Sequence, residues 1–174
     1  KHPKRTTGLV LRGIFLGQRY ETDWLYQPNG AASIFPEEFD KYSEILNDEE
    51  MKDTVKAYYE RLTSDDEEVR NDAAKRWSIW EGSISKLIPD QNLIDHFGDP
   101  ETAVAIARLE CHYFLNDLFF DDPDYLYHET KKIDHIPTII VQGRYDVVCP
   151  MVAAWTLKKN MPSADLRIIK DAGH

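Results

Sequence analysis

The sequence predicts an α/β protein in which a small parallel sheet is interrupted by a long helical insertion. Three observations predict it. Short apolar runs at residues 7–15, 137–143 and 166–169 read as strands of a parallel sheet, the first with Gly at both ends and the second ending at Gly. Between the first two runs, from residue 28 to residue 135, apolar residues recur at helical spacing behind recognisable helix start signals. The last two runs flank a helical stretch at residues 151–160, a strand–helix–strand unit whose strands are expected to lie parallel.

Taken in order, residues 7–15 read Thr-Gly-Leu-Val-Leu-Arg-Gly-Ile-Phe, the pattern of a strand buried on both faces. In the insertion, Asn47 precedes Glu50 by three and Ser64 precedes Glu67 by three. Both spacings are those of capping boxes, in which side chains satisfy orphan helix N–H groups. Asp99-Pro100 and Asp122-Pro123 set a capping carboxylate before a proline at the first helical position, where its missing N–H costs nothing. About five helices are expected there. Pro137-Thr-Ile-Ile-Val-Gln-Gly143 then returns to strand, followed by a loop to Pro150, the helix, a turn at Pro162 and the final strand. The domain plan is core at 1–27, helical cap at 28–135 and core again at 136–174.

Composition excludes several classes. With 21 Lys+Arg against 31 Asp+Glu and a net charge of −10, neither nucleic acid nor an anionic membrane surface is the expected partner. The acids crowd between residues 37 and 68, as on the solvated faces of surface helices. Charged residues break every apolar stretch before it reaches membrane-spanning length. Two cysteines, Cys111 and Cys149, are too few for a disulfide scaffold and fit a reducing, cytoplasmic setting. The chain lacks an initiating Met and enters a strand pattern within ten residues, as though it begins inside a domain.

In an open parallel sheet, ligands sit beyond the carboxyl ends of the strands. Asp146 follows the end of one C-terminal strand and His174 follows the end of the next. On neighbouring strands the two meet, and a carboxylate accepting from a His nitrogen leaves the other nitrogen as a general base. The nucleophile such a pair serves is not in view: Gly-x-Ser-x-Gly is absent, and Gly82-Ser-Ile-Ser85 follows a helix rather than a strand. A second pair of acids lies in the insertion. Glu110 interrupts the apolar face Ala103, Ile106, Ala107 and Phe114, and Glu81 extends the stripe Val69, Ala73, Trp77 and Trp80 at a helix C-terminus, where the helix dipole opposes it. Either an arginine such as Arg76 or Arg108 pairs with these acids, or a cationic ligand does. Glu110-Cys111-His112 is not expected to bind metal, because consecutive helical residues diverge.

These residues resemble the prolyl aminopeptidases (proline iminopeptidases), serine peptidases of the α/β-hydrolase fold. The matching stretches run in family order: residues 9–15, Trp77-Ser-Ile-Trp-Glu-Gly82, Ala107-Arg-Leu-Glu-Cys-His-Tyr-Phe114, Gly143-Arg-Tyr-Asp-Val-Val-Cys-Pro150 and Asp171-Ala-Gly-His174. The resemblance implies a partial α/β-hydrolase core with an inserted helical cap, in which Asp146 is the triad acid and His174 the triad base. It also implies that Glu81 and Glu110 hold the free amine of a peptide beginning with proline. Phe15 and Phe114 would wall the proline pocket, and Cys149 would lie near the active site and confer sensitivity to thiol reagents. No cofactor or metal is implied, and the oligomeric state is left open. The family's nucleophilic Ser and its His-Gly-Gly-Pro oxyanion loop precede the segment matching Lys1, so the chain is expected to be an inactive C-terminal fragment of such an enzyme. Another capped α/β-hydrolase, acting on epoxides or amides, and a non-catalytic helical binding fragment are the alternatives.

Overall fold

The computed structural model of the chain describes residues 2–174. Three parallel strands stand in the order β1 (Leu9–Arg12), β2 (Thr138–Gly143), β3 (Asp165–Ile169), with Leu9 opposite Thr138 and Gly143 opposite Ile169. The central strand is therefore reached from β1 only after the whole helical insertion. Eight α-helices accompany the sheet among the described residues: α1 (Arg19–Tyr26), α2 (Pro36–Ser43), α3 (Thr54–Leu62), α4 (Glu67–Ile84), α5 (Gln91–Phe97), α6 (Pro100–Leu115), α7 (Tyr125–Glu129) and α8 (Met151–Asn160). Six of them, α2 to α7, fall within 28–135, one more than expected. Among the described residues no helix is long and apolar enough to cross a membrane.

Two strand expectations need correction. The first strand is shorter than residues 7–15, because Gly13 takes φ +56°, a left-handed turn that ends it. It is also not buried on both faces: Val10 is 77% exposed. Among the described residues β1 pairs with β2 alone, so the apolar composition of a buried strand sits on an open edge. Only β2, flanked on both sides, buries Thr138, Ile140, Gln142 and Gly143.

The helix starts follow local hydrogen bonding. Asn47 and Glu50 form the expected reciprocal box, the Asn47 side chain accepting from the Glu50 N–H at 3.0 Å and Glu50 from the Asn47 N–H at 2.9 Å, although it opens a single 3₁₀ turn. Asp99 caps α6 by accepting from the Thr102 N–H at 3.1 Å, with Pro100 at the first position. Ser64 does not cap α4. It accepts from the Asp66 N–H, and Asp66 is the cap, taking the N–H groups of Glu68 and Val69. Asp122 likewise turns the chain by accepting from the Asp124 N–H, and α7 starts only at Tyr125.

Packing divides the apolar residues into two cores. The larger lies within the helices and is built on Tyr26, Tyr42, Tyr58, Trp77 and Trp80, with Ala73, Ala74, Ala103 and Ala107 letting α4 and α6 approach closely. The smaller lies between the sheet and α8, from Ile14, Leu16, Ile140, Ala153, Leu157 and Met161. The site forms where the two meet.

Candidate active site

Because β2 and β3 are neighbours, the loops at their carboxyl ends leave the sheet side by side. Arg144 N donates to Ile169 O at 2.9 Å and Tyr145 N to Ala172 O at 3.0 Å, which zips the two loops together. A Cβ at Gly143 would sit 2.0 Å from Gly173 O, so only glycine permits this approach. Asp146 and His174 meet as a result: His174 Nδ1 lies 3.2 and 3.1 Å from the two Asp146 carboxylate oxygens. Facing two acceptor oxygens, Nδ1 carries the proton, and Nε2 is left with its lone pair.

The acid is fixed before the histidine reaches it. Asp146 is buried, its Oδ1 accepting from the Cys149 N–H at 2.8 Å and its Oδ2 from Gln142 Nε2 at 2.7 Å. The same Gln142 Nε2 donates to Cys149 O at 2.8 Å, and Gln142 Oε1 accepts from the Ile14 N–H at 3.1 Å. On the far side of the imidazole stands Gly13, where a Cβ would come within 2.9 Å of His174 Cε1.

The second pair of acids is also brought together. Tyr26 donates its hydroxyl to Glu81 Oε1, and Trp77 Nε1 donates to Glu110 Oε2 at 3.0 Å. Burial, followed by the charge of Glu110, pushes Glu81 well above the usual carboxylate range; burial also raises Glu110. Neither acid has an ion pair among the described residues. Arg76 is taken by Glu44 and Asp72, and Arg108 lies beside a separate groove, so the arginine alternative fails. Rings surround the acids: Tyr26 stacks on Trp77 at 4.0 Å, and Phe114 lies 5.7 Å from both Tyr26 and Phe15. Along α6 the neighbours of Glu110 diverge, Cys111 donating to Val55 O and His112 packing on Tyr59.

Backbone contacts join the two pairs. His174 N donates to Ser85 O at 2.8 Å, and Ser85 Oγ donates to Glu81 O at 2.7 Å, so the histidine hangs from the chain one turn past Glu81. That bond engages the Ser85 hydroxyl in its own helix. Trp24 Nε1 donates to Val147 O at 2.7 Å, tying α1 to the loop that carries Asp146. The Asp146 loop lines a cavity of about 470 Å³ with Trp24, Phe35, Ile84 and Tyr145. Burial pushes the Cys149 thiol up to about 12, which favours its protonated form near neutral pH.

Sequence reasoning missed Gln142, Tyr26 and Trp77 as polar partners, and Glu21. Buried Glu21 takes the Leu16 N–H at 3.1 and 3.0 Å and the Gln18 N–H at 2.9 Å, and so shapes the loop that holds Phe15. The signal for Gln142 was present as the one polar residue in Ile-Ile-Val-Gln-Gly. For Tyr26 and Trp77 there was none: Trp77 falls in the apolar stripe of its helix, and Tyr26 stands in no motif.

Comparison with known proteins gives a consistent result. The chain is 54% identical over 173 residues to a probable proline iminopeptidase of Leptolyngbya boryana, covering 99% of this chain and 54% of that one. It is 48% identical to a proline iminopeptidase of Xylella fastidiosa over 99% of this chain and 55% of the relative, and 45% identical to one of Arabidopsis thaliana over 99% and 46%. The chain thus spans about half the length of the curated relatives it matches. Among solved structures it resembles an α/β fold family hydrolase from Bacillus anthracis, with a TM-score of 0.50 and 15% identity over 97% of this chain and 52% of the other. That likeness bears out the α/β-hydrolase fold. No family model matches the chain.

Proposed function

We propose that this chain, homologous to proline iminopeptidases along 99% of its length, serves a serine exopeptidase that releases proline from peptide N-termini. In this reading residues 28–135 form the cap, and Asp146 and His174 are the acid and base of a triad whose serine lies in sequence before this chain. Asp146 orients the imidazole and stabilises its protonated form, while Nε2 takes the serine proton and returns it to the leaving amine. Glu81 and Glu110 receive the substrate's N-terminus. A proline N-terminus is a secondary ammonium with two N–H donors and one positive charge, which stabilises both carboxylates in the ionised form. Phe15, Phe114, Tyr26 and Trp77 surround the pyrrolidine ring. A cytoplasmic setting belongs to the same reading, in keeping with two free, buried cysteines.

The observation that carries the proposal is a carboxylate pair, Glu81 buried and Glu110 half-buried, with no cation beside it among the described residues, walled by rings, one helical turn from the histidine's anchor. A capped hydrolase acting on epoxides or amides has no use for it. Replacing Glu81 or Glu110 by Gln in the full-length protein removes a charged partner of the ammonium and should lower kcat/KM on proline naphthylamide by more than about 30-fold. Unchanged turnover in both variants would exclude amine recognition by this pair.

A further inference from the structure

We propose that Gln142 is the positioning residue of this site, one amide that sets the Asp146 carboxylate for His174 and also anchors the segment carrying Phe15. This rests on the reading of Asp146 and His174 as a triad pair. Gln142 is 1% exposed, in the central strand, where a β-branched apolar residue would be the ordinary choice. Every side-chain hydrogen bond it makes among the described residues goes to the site. The two N–H groups of Nε2 go to Asp146 Oδ2 at 2.7 Å and Cys149 O at 2.8 Å, and Oε1 takes the Ile14 N–H at 3.1 Å. The amide therefore has one workable orientation, since turning it over would set its oxygen against two acceptors and its nitrogen against a donor.

Two consequences follow. Asp146 accepts from Gln142 on one oxygen and from the Cys149 N–H on the other, so its plane is fixed from behind while both oxygens face Nδ1 of His174. At the other end of the amide, the Ile14 N–H lies between Gly13, which backs the imidazole, and Phe15, which packs on Phe114. Catalytic alignment and the aromatic wall share one side chain.

Two variants of the full-length protein separate these roles. Q142M is close in shape and removes every polar contact; Q142E keeps an oxygen for the Ile14 N–H but, when ionised, has no donor for Asp146. Both should lose kcat by about 10²-fold, the effect of misplacing a catalytic group by about 1 Å. KM on proline naphthylamide should hold in Q142E and rise in Q142M, and the proton NMR signal of His174 Nδ1–H should move in both. A folded Q142M with wild-type kcat and an unmoved Nδ1–H signal overturns the proposal. Failure of both variants to fold, read by circular dichroism, overturns it as well, since Gln142 would then serve the sheet alone. If the wild-type protein does not release proline, the exopeptidase reading fails, while the Nδ1–H signal still decides the role of Gln142.

Discussion

A missing side chain does as much at this site as any that is present. Gly13 combines φ +56° with a position whose Cβ would lie 2.9 Å from the His174 ring. Gly13→Ala therefore meets two penalties. The left-handed backbone costs an L-residue roughly 1–2 kcal/mol, and the methyl group pushes the imidazole away from Gly13. Urea unfolding of the chain should report the first, and a fall of about 10²-fold in kcat of the full-length protein the second. A stability loss with normal kcat would mean that His174 tolerates the methyl group. At this scale the sequence displayed Asp146, His174, Glu81 and Glu110, because strand ends and interrupted apolar stripes are local patterns. What it could not display is which groups bond to them. The Tyr26 hydroxyl on Glu81 joins residues 55 apart in the chain, and the Gln142 amide joins Ile14 across 128.

Among the elements, α4 carries Glu81 and is followed by Ser85, whose carbonyl holds the His174 N–H, and it starts two residues later than the Ser64 spacing predicts. Ser64 and Glu67 have capping-box spacing, yet Asp66 accepts from the Glu68 and Val69 N–H groups while Ser64 only bends the chain toward it. Asp is as good a cap as Ser, and its charge also favours the positive end of the helix dipole, so the later position wins. Asp66→Ala should cost about 1 kcal/mol and Ser64→Ala clearly less, compared by thermal unfolding of the two variants. The reverse order would restore Ser64 as the cap. The same locality explains the strands. Composition marks β1, β2 and β3 correctly, but whether a strand is central or at an edge depends on its neighbours, and Val10 on β1 is open to solvent despite its apolar setting.

For the whole molecule, the carboxylate pair sits in the larger core and ties stability to pH. Desolvation is the first cause of its raised affinity for protons, and the charge of Glu110 on Glu81 is the next. The folded chain thus holds these protons to higher pH than the unfolded chain, whose carboxylates titrate near the ordinary 4.5. The stability this contributes is fully present below that value and is lost as pH rises through the folded values. Buried Glu21 acts in the same direction. Glu50, Asp99 and Asp122, all held low, act in the opposite direction, but their changes fall below the ordinary carboxylate range. Above about pH 4.5 the pair and Glu21 therefore set the slope. Glu81→Gln keeps an oxygen for the Tyr26 hydroxyl and removes one of the two carboxylates that must ionise. The urea midpoint of the wild-type chain should fall as pH climbs from 5 to 8, and the variant should fall less, Glu110 and Glu21 supplying the remainder. An identical slope in the two chains would mean that the pair ionises in the folded chain as readily as in water, and that the site has no need of a substrate's ammonium to stabilise it.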